Sequence, residues 1–257
     1  MVIAEWNIKL AISAPITIKH PLNLDVEKGS HNSFWTKVKV KKATQGVWIE
    51  VVARASSQEE ANDAAVFFIG QMLDLLSLWI DLPLYLSLFD EKFRSVDTRV
   101  QRFVKEDEWS QAFRLSRNYA LHRRAYSRAL SWYRKGLISE DPIDKFLAFW
   151  SSIESVSSAS ARDNERTRKG IINKICDCFD QLWKDCSSWK VIPNDAPWIN
   201  RFQETRNGIS HGFIVVNIDT IKQISIQLPK LHQLAHTFLS DWEHHSSQEN
   251  EKNLSYW

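Results

Sequence analysis

The hydrophobic period changes once along this chain, and that change limits the folds open to it. Over the first 53 residues apolar positions tend to alternate with polar ones, the repeat of a strand with one face covered. From Ser57 onward they recur at three and four, the repeat of a helix with one buried stripe. Residues 2–19 suit one or two strands, with Ile3, Ile8, Leu10 and Ile12 prominent, Trp6 nearby and Pro15 interrupting the run. A polar loop from Asn23 to Ser33 follows, with Gly29 as its turn residue. Phe34, Thr36, Val38 and Val40 then line one face of a strand, and Trp35, Lys37, Lys39 and Lys41 line the other. Gln45-Gly46 is a turn, and Val47 to Ala53 is the returning partner of a hairpin. Ser57 and Glu60 form a capping box that starts a long helix, ended or kinked by Pro83. The spacing predicts an α+β N-terminal domain over residues 1–105, with a helix covering a small antiparallel sheet.

The remainder reads as all-α. A charged stretch from Glu91 to Glu108 places the boundary near residue 105, a helical domain spans 106–245, and 246–257 is a polar tail. Glu108 to Lys135 reads as one helix. Between Arg114 and Lys135 it carries Arg114, Arg117, Arg123, Arg124, Arg128, Arg134 and Lys135 and no acidic residue. A surface helix normally mixes both signs, so this run predicts a polyanion-binding face, or one neutralised by acidic neighbours. Asp141-Pro142 opens the next helix as cap and first turn, with Ile143, Phe146, Leu147, Trp150, Ile153 and Val156 as its buried stripe. Ser157 to Arg168 reads as a loop whose Arg162, Arg166, Arg168 and Lys169 extend the positive surface.

Several function classes fall away. No Walker motif, glycine-rich dinucleotide fingerprint or nucleophile elbow occurs. The apolar stretch Ala64 to Leu88 is broken by Gln71, Asp74, Asp81 and Pro83, which suits a buried helix better than a membrane span. Met1 to Lys9 has no basic region followed by an apolar core, and the odd number of cysteines (Cys176, Cys178, Cys186) reads as reduced and cytoplasmic. Cys176 and Cys178 lack zinc spacing. His232 and His236 stand four apart, but nothing nearby completes a metal site, so no metal or cofactor is expected.

The chemistry concentrates in Glu204 to Phe213. Asn207 and His211, four apart, share a helical face, and Arg206 is long enough to reach the same place. A guanidinium can hold a phosphate by a bidentate fork, and an imidazole can move a proton near neutral pH. Glu154, close to the buried stripe of its helix, needs a partner, and Arg206 is a candidate. A His-Gly pair at a helix end is equally the shape of a C-cap. Arg117, Asn118 and His122 repeat the pattern earlier in the chain, without the following glycine.

Arg-Asn, three residues, then His-Gly resembles the signature of the HEPN superfamily, helical domains named for nucleotide binding in prokaryotes and higher eukaryotes. The runs Tyr126 to Tyr133, Phe146 to Glu154 and Arg206 to Gly212 are similar to the form described from abortive-infection proteins. The whole-chain layout also resembles methylamine-utilisation-J-like proteins. The resemblance implies a HEPN-like bundle over roughly residues 108 to 245. It implies a metal-independent endoribonuclease cleaving single-stranded RNA, of toxin or antiviral-defence type, with its site composed across a homodimer. Arg206 and His211 would be the catalytic pair, Asn207 the polar helper and Glu154 the support. Arg114, Arg117, Arg123, Arg124 and Arg128 would carry the RNA. The alternative is a non-catalytic nucleotide-binding or protein-interaction scaffold of the same fold, or a subunit docked to a regulatory protein.

Overall fold

The computed structural model describes residues 3–24, 35–88 and 94–254, without the side chains of Trp35, Thr36 and 247–254. A mixed β/α region is followed by a mostly α-helical one. By contacts the chain divides into two compact units, Met1–Arg123 and Arg124–Trp257.

In the first unit, β1 (Ala4–Ser13), β2 (Ile16–Thr17), β3 (Leu22–Leu24), β4 (Trp35–Ala43) and β5 (Gly46–Ala55) precede α1 (Gln58–Ile80). Then come β6 (Tyr85–Leu88), β7 (Arg102–Phe103) and α2 (Glu106–His122). Five strands form an antiparallel sheet in the order β3-β4-β5-β1-β6, and β2 pairs with β7 in parallel. The period-2 pattern sets which face is covered: Val38, Val40, Val47, Ile49 and Val51 are buried, while Lys37 and Lys39 face solvent. Phe34, which the sequence assigns to the covered face, lies outside the described residues, as do Gly29 and most of its loop. Gly46 is dictated by a close approach, because a Cβ there would strike the Ile12 carbonyl, and its φ of 130° is costly for any side chain.

The helix α1 starts where the capping residues place it. The Ser57 hydroxyl accepts from Glu60 N–H at 3.2 Å, and the Glu60 carboxylate takes the backbone N–H of Ser56. The helix is long and apolar enough by length and composition to cross a membrane. Its Ala61, Ala65, Ile69, Met72, Leu73 and Leu76 belong to the core formed with the sheet. Three strands escape the sequence pattern. β3 and β7 are too short to show alternation, and β6 lies in the apolar stretch read as helix. Pro83 ends that helix, and the chain then adds β6 as an edge partner of β1.

The single helix expected over Glu108–Lys135 is two. α2 ends at Arg123, whose φ of −132° leaves the helical region, and α3 (Arg124–Ile138) begins at once. No glycine or proline marks the break. Its consequence is electrostatic: Arg114 and Arg117 belong to the first unit with α2, and Arg124 and Arg128 to the second. The sequence places the division near 105, whereas α2 packs on α1 and β3, with Trp109, Ala112 and Phe113 in the sheet-helix core.

The second unit contains α3, α4 (Pro142–Ser160), α5 (Ile171–Trp183), α6 (Ala196–Ser210) and α7 (Ile218–Leu254). Asp141 caps α4 through the N–H groups of Ile143 and Asp144. α4 packs against the other four helices. Trp150, Phe146, Phe179 and Phe238 are fully buried there, each contributing about 1.5–3 kcal/mol by leaving water. α7 continues to Leu254, through most of the segment read as a tail, and carries Pro229 internally. The basic loop after α4 is largely neutralised. Arg162 binds the buried Asp177, Arg166 pairs with Asp180 and Arg168 with Asp163, so these three do not extend a free positive surface.

Candidate functional site

Two helices with matched i, i+4 pairs build the site. α4 presents Trp150 and Glu154, and α6 presents Gln203 and Asn207 with Arg206 beside it. Their side chains close into a ring of polar contacts. The buried Trp150 indole N–H is shared between Glu154 Oε1 at 3.2 Å and Gln203 Oε1 at 3.0 Å. Gln203 Nε2 donates to Asn207 Oδ1 at 3.0 Å, and Arg206 Nη1 donates to the same oxygen at 3.3 Å. Arg206 Nη2 lies 3.5 Å from Glu154 Oε2, which completes the circuit.

The ring exists because a buried polar group must find a partner. Gln203 and Trp150 are both buried, so each removes an orphan from the other. Glu154 sits in tension. Burial pushes its carboxyl up from the ordinary carboxylate value, while Arg206, Gln203 and Trp150 pull it down, and burial prevails. Arg206 is therefore held at a fixed place by one carboxylate and one amide. About a third of its side chain remains exposed.

That exposed part opens on a cleft of about 520 Å³. Arg124, Arg128 and Trp132 line it from α3, Ser151, Glu154 and Ser155 from α4, and Arg206 from α6. Among the described residues no carboxylate pairs with Arg124 or Arg128. The cleft thus gathers three guanidiniums against one carboxylate, and can hold an anion.

His211 is not among the residues that line this cleft. It is the exposed C-cap of α6, its backbone N–H donating to the Asn207 carbonyl at 2.9 Å. Its ring lies 5.8 Å from that of Phe213. Gly212 follows with a φ of 71°, the left-handed turn that ends many helices, and its N–H reaches the Ile209 carbonyl. Arg206, Asn207 and Glu154 are thus brought together, and His211 is one helical turn further along, at the surface.

The other sequence candidates are dispersed. Arg114, Arg117 and Asn118 line a separate cleft of about 600 Å³ in the first unit, with Leu24 and Phe113. Arg123 lies over the Tyr119 ring at the helix break. His122 is the exposed last residue of α2. His232 takes part in a hydrogen bond of 2.9 Å with the buried Tyr133 hydroxyl and stacks on Phe149. Among the described residues no three His, Cys, Asp or Glu side chains converge as a metal site. The three cysteines are free, and burial pushes the Cys178 thiol up to about 12, so it is unreactive at neutral pH. Sequence reasoning passed over Gln203 and took Trp150 only as core. The signal available was spacing: each lies four residues before a partner already singled out.

Residues 129–239 match the family model of the methylamine utilization protein MauJ. The matched segment is less than half of the chain, and it holds the ring of five side chains together with Trp132. No curated protein and no solved structure matches the chain.

Proposed function

We propose that the second unit is a HEPN-like, metal-independent endoribonuclease acting on single-stranded RNA in the cytoplasm as a homodimer. The observation that carries this reading is Arg206, braced by Glu154 and Asn207 at an arginine-lined cleft. A guanidinium so fixed is placed to hold a phosphodiester and to stabilise the charge that grows on it. An RNA 2′-hydroxyl attacks its own adjacent phosphorus. The 5′-oxygen leaves with a proton, and the products are a 2′,3′-cyclic phosphate and a 5′-hydroxyl. His211 moves one proton, and a second histidine from the symmetry mate moves the other. Phe213, Val215 and Ile218, each more than two-thirds exposed in the segment that follows His211, supply an apolar surface that a second copy would cover.

The test is cleavage of a mixed RNA pool in EDTA by wild type, R206A, H211A and R117A/H122A. Loss in R206A and H211A with retention in the double variant is the expected result. Inactivity of the wild type at concentrations where a dimer is present overturns the reading.

A second reading, a non-catalytic nucleotide-binding scaffold, is favoured by one observation. His211 is an exposed helix cap whose imidazole makes no hydrogen bond among the described residues. On that reading nucleotide binding persists in H211A and falls in R206A.

A further inference from the structure

We propose that the cleft of the second unit binds single-stranded nucleic acid by two separable elements, a phosphate track on Arg124, Arg128 and Arg206 and a base-stacking platform on Trp132. The inference rests on the nucleic-acid part of the reading above and not on cleavage. Arg124, Arg128 and Trp132 stand at i, i+4 and i+8 of α3, so they form one stripe about 12 Å long at 1.5 Å per residue. A lone phosphate would need neither that length nor the ring. Two cations followed by an indole along one wall suit a strand, whose charge and π-faces alternate along its course.

The surroundings of Trp132 support the platform. Trp132 is half-buried and lines the cleft, whereas the buried aromatic residues Tyr133 and Trp150 serve the core. The Lys135 ammonium lies 4.3 Å from the centroid of the Trp132 ring, and Lys135 does not line the cleft. The ammonium covers one face of the indole, and a base would stack on the other. α4 contributes Ser151 and Ser155 to the lining, small hydroxyls that leave room and can meet sugar or phosphate oxygens. Every base has a π-face, so the platform would be tolerant of sequence.

The test uses the full chain and a 2′-O-methyl pentanucleotide, which cannot be cleaved, beside an abasic pentamer of equal charge. Wild type is expected to bind the base-bearing oligomer more tightly. Trp132→Ala should weaken that binding by about 5- to 150-fold, the range of one lost stack, and leave the abasic oligomer within about twofold. Trp132→Phe, which keeps a ring, should recover part of the loss and shows that the fold survives. Arg128→Ala should weaken both oligomers and flatten the salt dependence. Equal losses on both oligomers in Trp132→Ala, equal wild-type affinity for the two, or no binding of either overturns the proposal. Failure of the cleavage assay with intact binding overturns only the nuclease reading.

Discussion

Arg-Asn-x-x-x-His occurs at the ends of two helices, α2 and α6, and the two copies live differently. At the end of α6, Asn207 accepts two hydrogen bonds and Arg206 is tied to a half-buried carboxylate. At the end of α2, Asn118 is exposed, and its side chain makes no hydrogen bond among the described residues. The letters are the same, but only the second copy faces a helix that offers Trp150 and Glu154 four residues apart. A short polar pattern acquires a fixed geometry only when a neighbouring element supplies the complementary half. The histidines, by contrast, are alike: both are exposed at helix ends.

The contrast can be broken most sharply at Trp150. Trp150→Ala removes a fully buried indole and the donor that closes the ring. It should destabilise the second unit by about 3–5 kcal/mol in denaturant unfolding. A loss under about 1 kcal/mol would mean that the ring and its packing contribute little. Next comes the matched asparagine pair. Asn207→Ala strands the buried Gln203 amide and should cost about 1–3 kcal/mol, whereas Asn118→Ala should stay within about 0.5 kcal/mol. Equal effects at the two positions would erase the distinction.

A smaller, pH-dependent effect is expected at Glu154. Burial raises its carboxyl above the ordinary value of 4.5, so the folded chain holds that proton more tightly than the unfolded chain. Its contribution is therefore most favourable below 4.5 and is lost as pH rises through the raised folded value. Glu154→Gln should flatten that part of the Tm-versus-pH curve. An unchanged curve would show that Arg206 compensates the charge in full. Smallest of all, His122→Ala and His211→Ala should each shift stability by less than about 0.5 kcal/mol. A large loss in H211A would assign the imidazole a structural role that its exposure argues against.

Much of the fold could be read in advance where local chemistry decides it. Ser57 with Glu60, Asp141 with Pro142, and the alternation of Val38 and Val40 with lysines each place an element where the structure has it. The break at Arg123 could not be read, because the apolar period runs through it with no glycine or proline. Nor could β6, whose residues pair with β1 and so depend on a strand more than 70 residues away. At the site, Arg206 and Asn207 were legible as members of a polar island, and Glu154 as a residue that needs a partner. Gln203 was not, since an amide in a helix is unremarkable until Trp150 buries beside it.

By itself the sequence determined the change from strand to helix, the caps that start the helices and the polar island on α6. Those follow from backbone geometry, capping chemistry and spacing along a few residues. Only the tertiary structure decided that the basic run splits between two units, that Arg162 and Arg166 are spent on aspartates of α5, and that four side chains of α4 and α6 close a ring with Arg206. The reason is physical. Pairing charges and satisfying buried polar atoms depend on which surfaces meet, and residues 14 to 53 positions apart carry no local sign that they will.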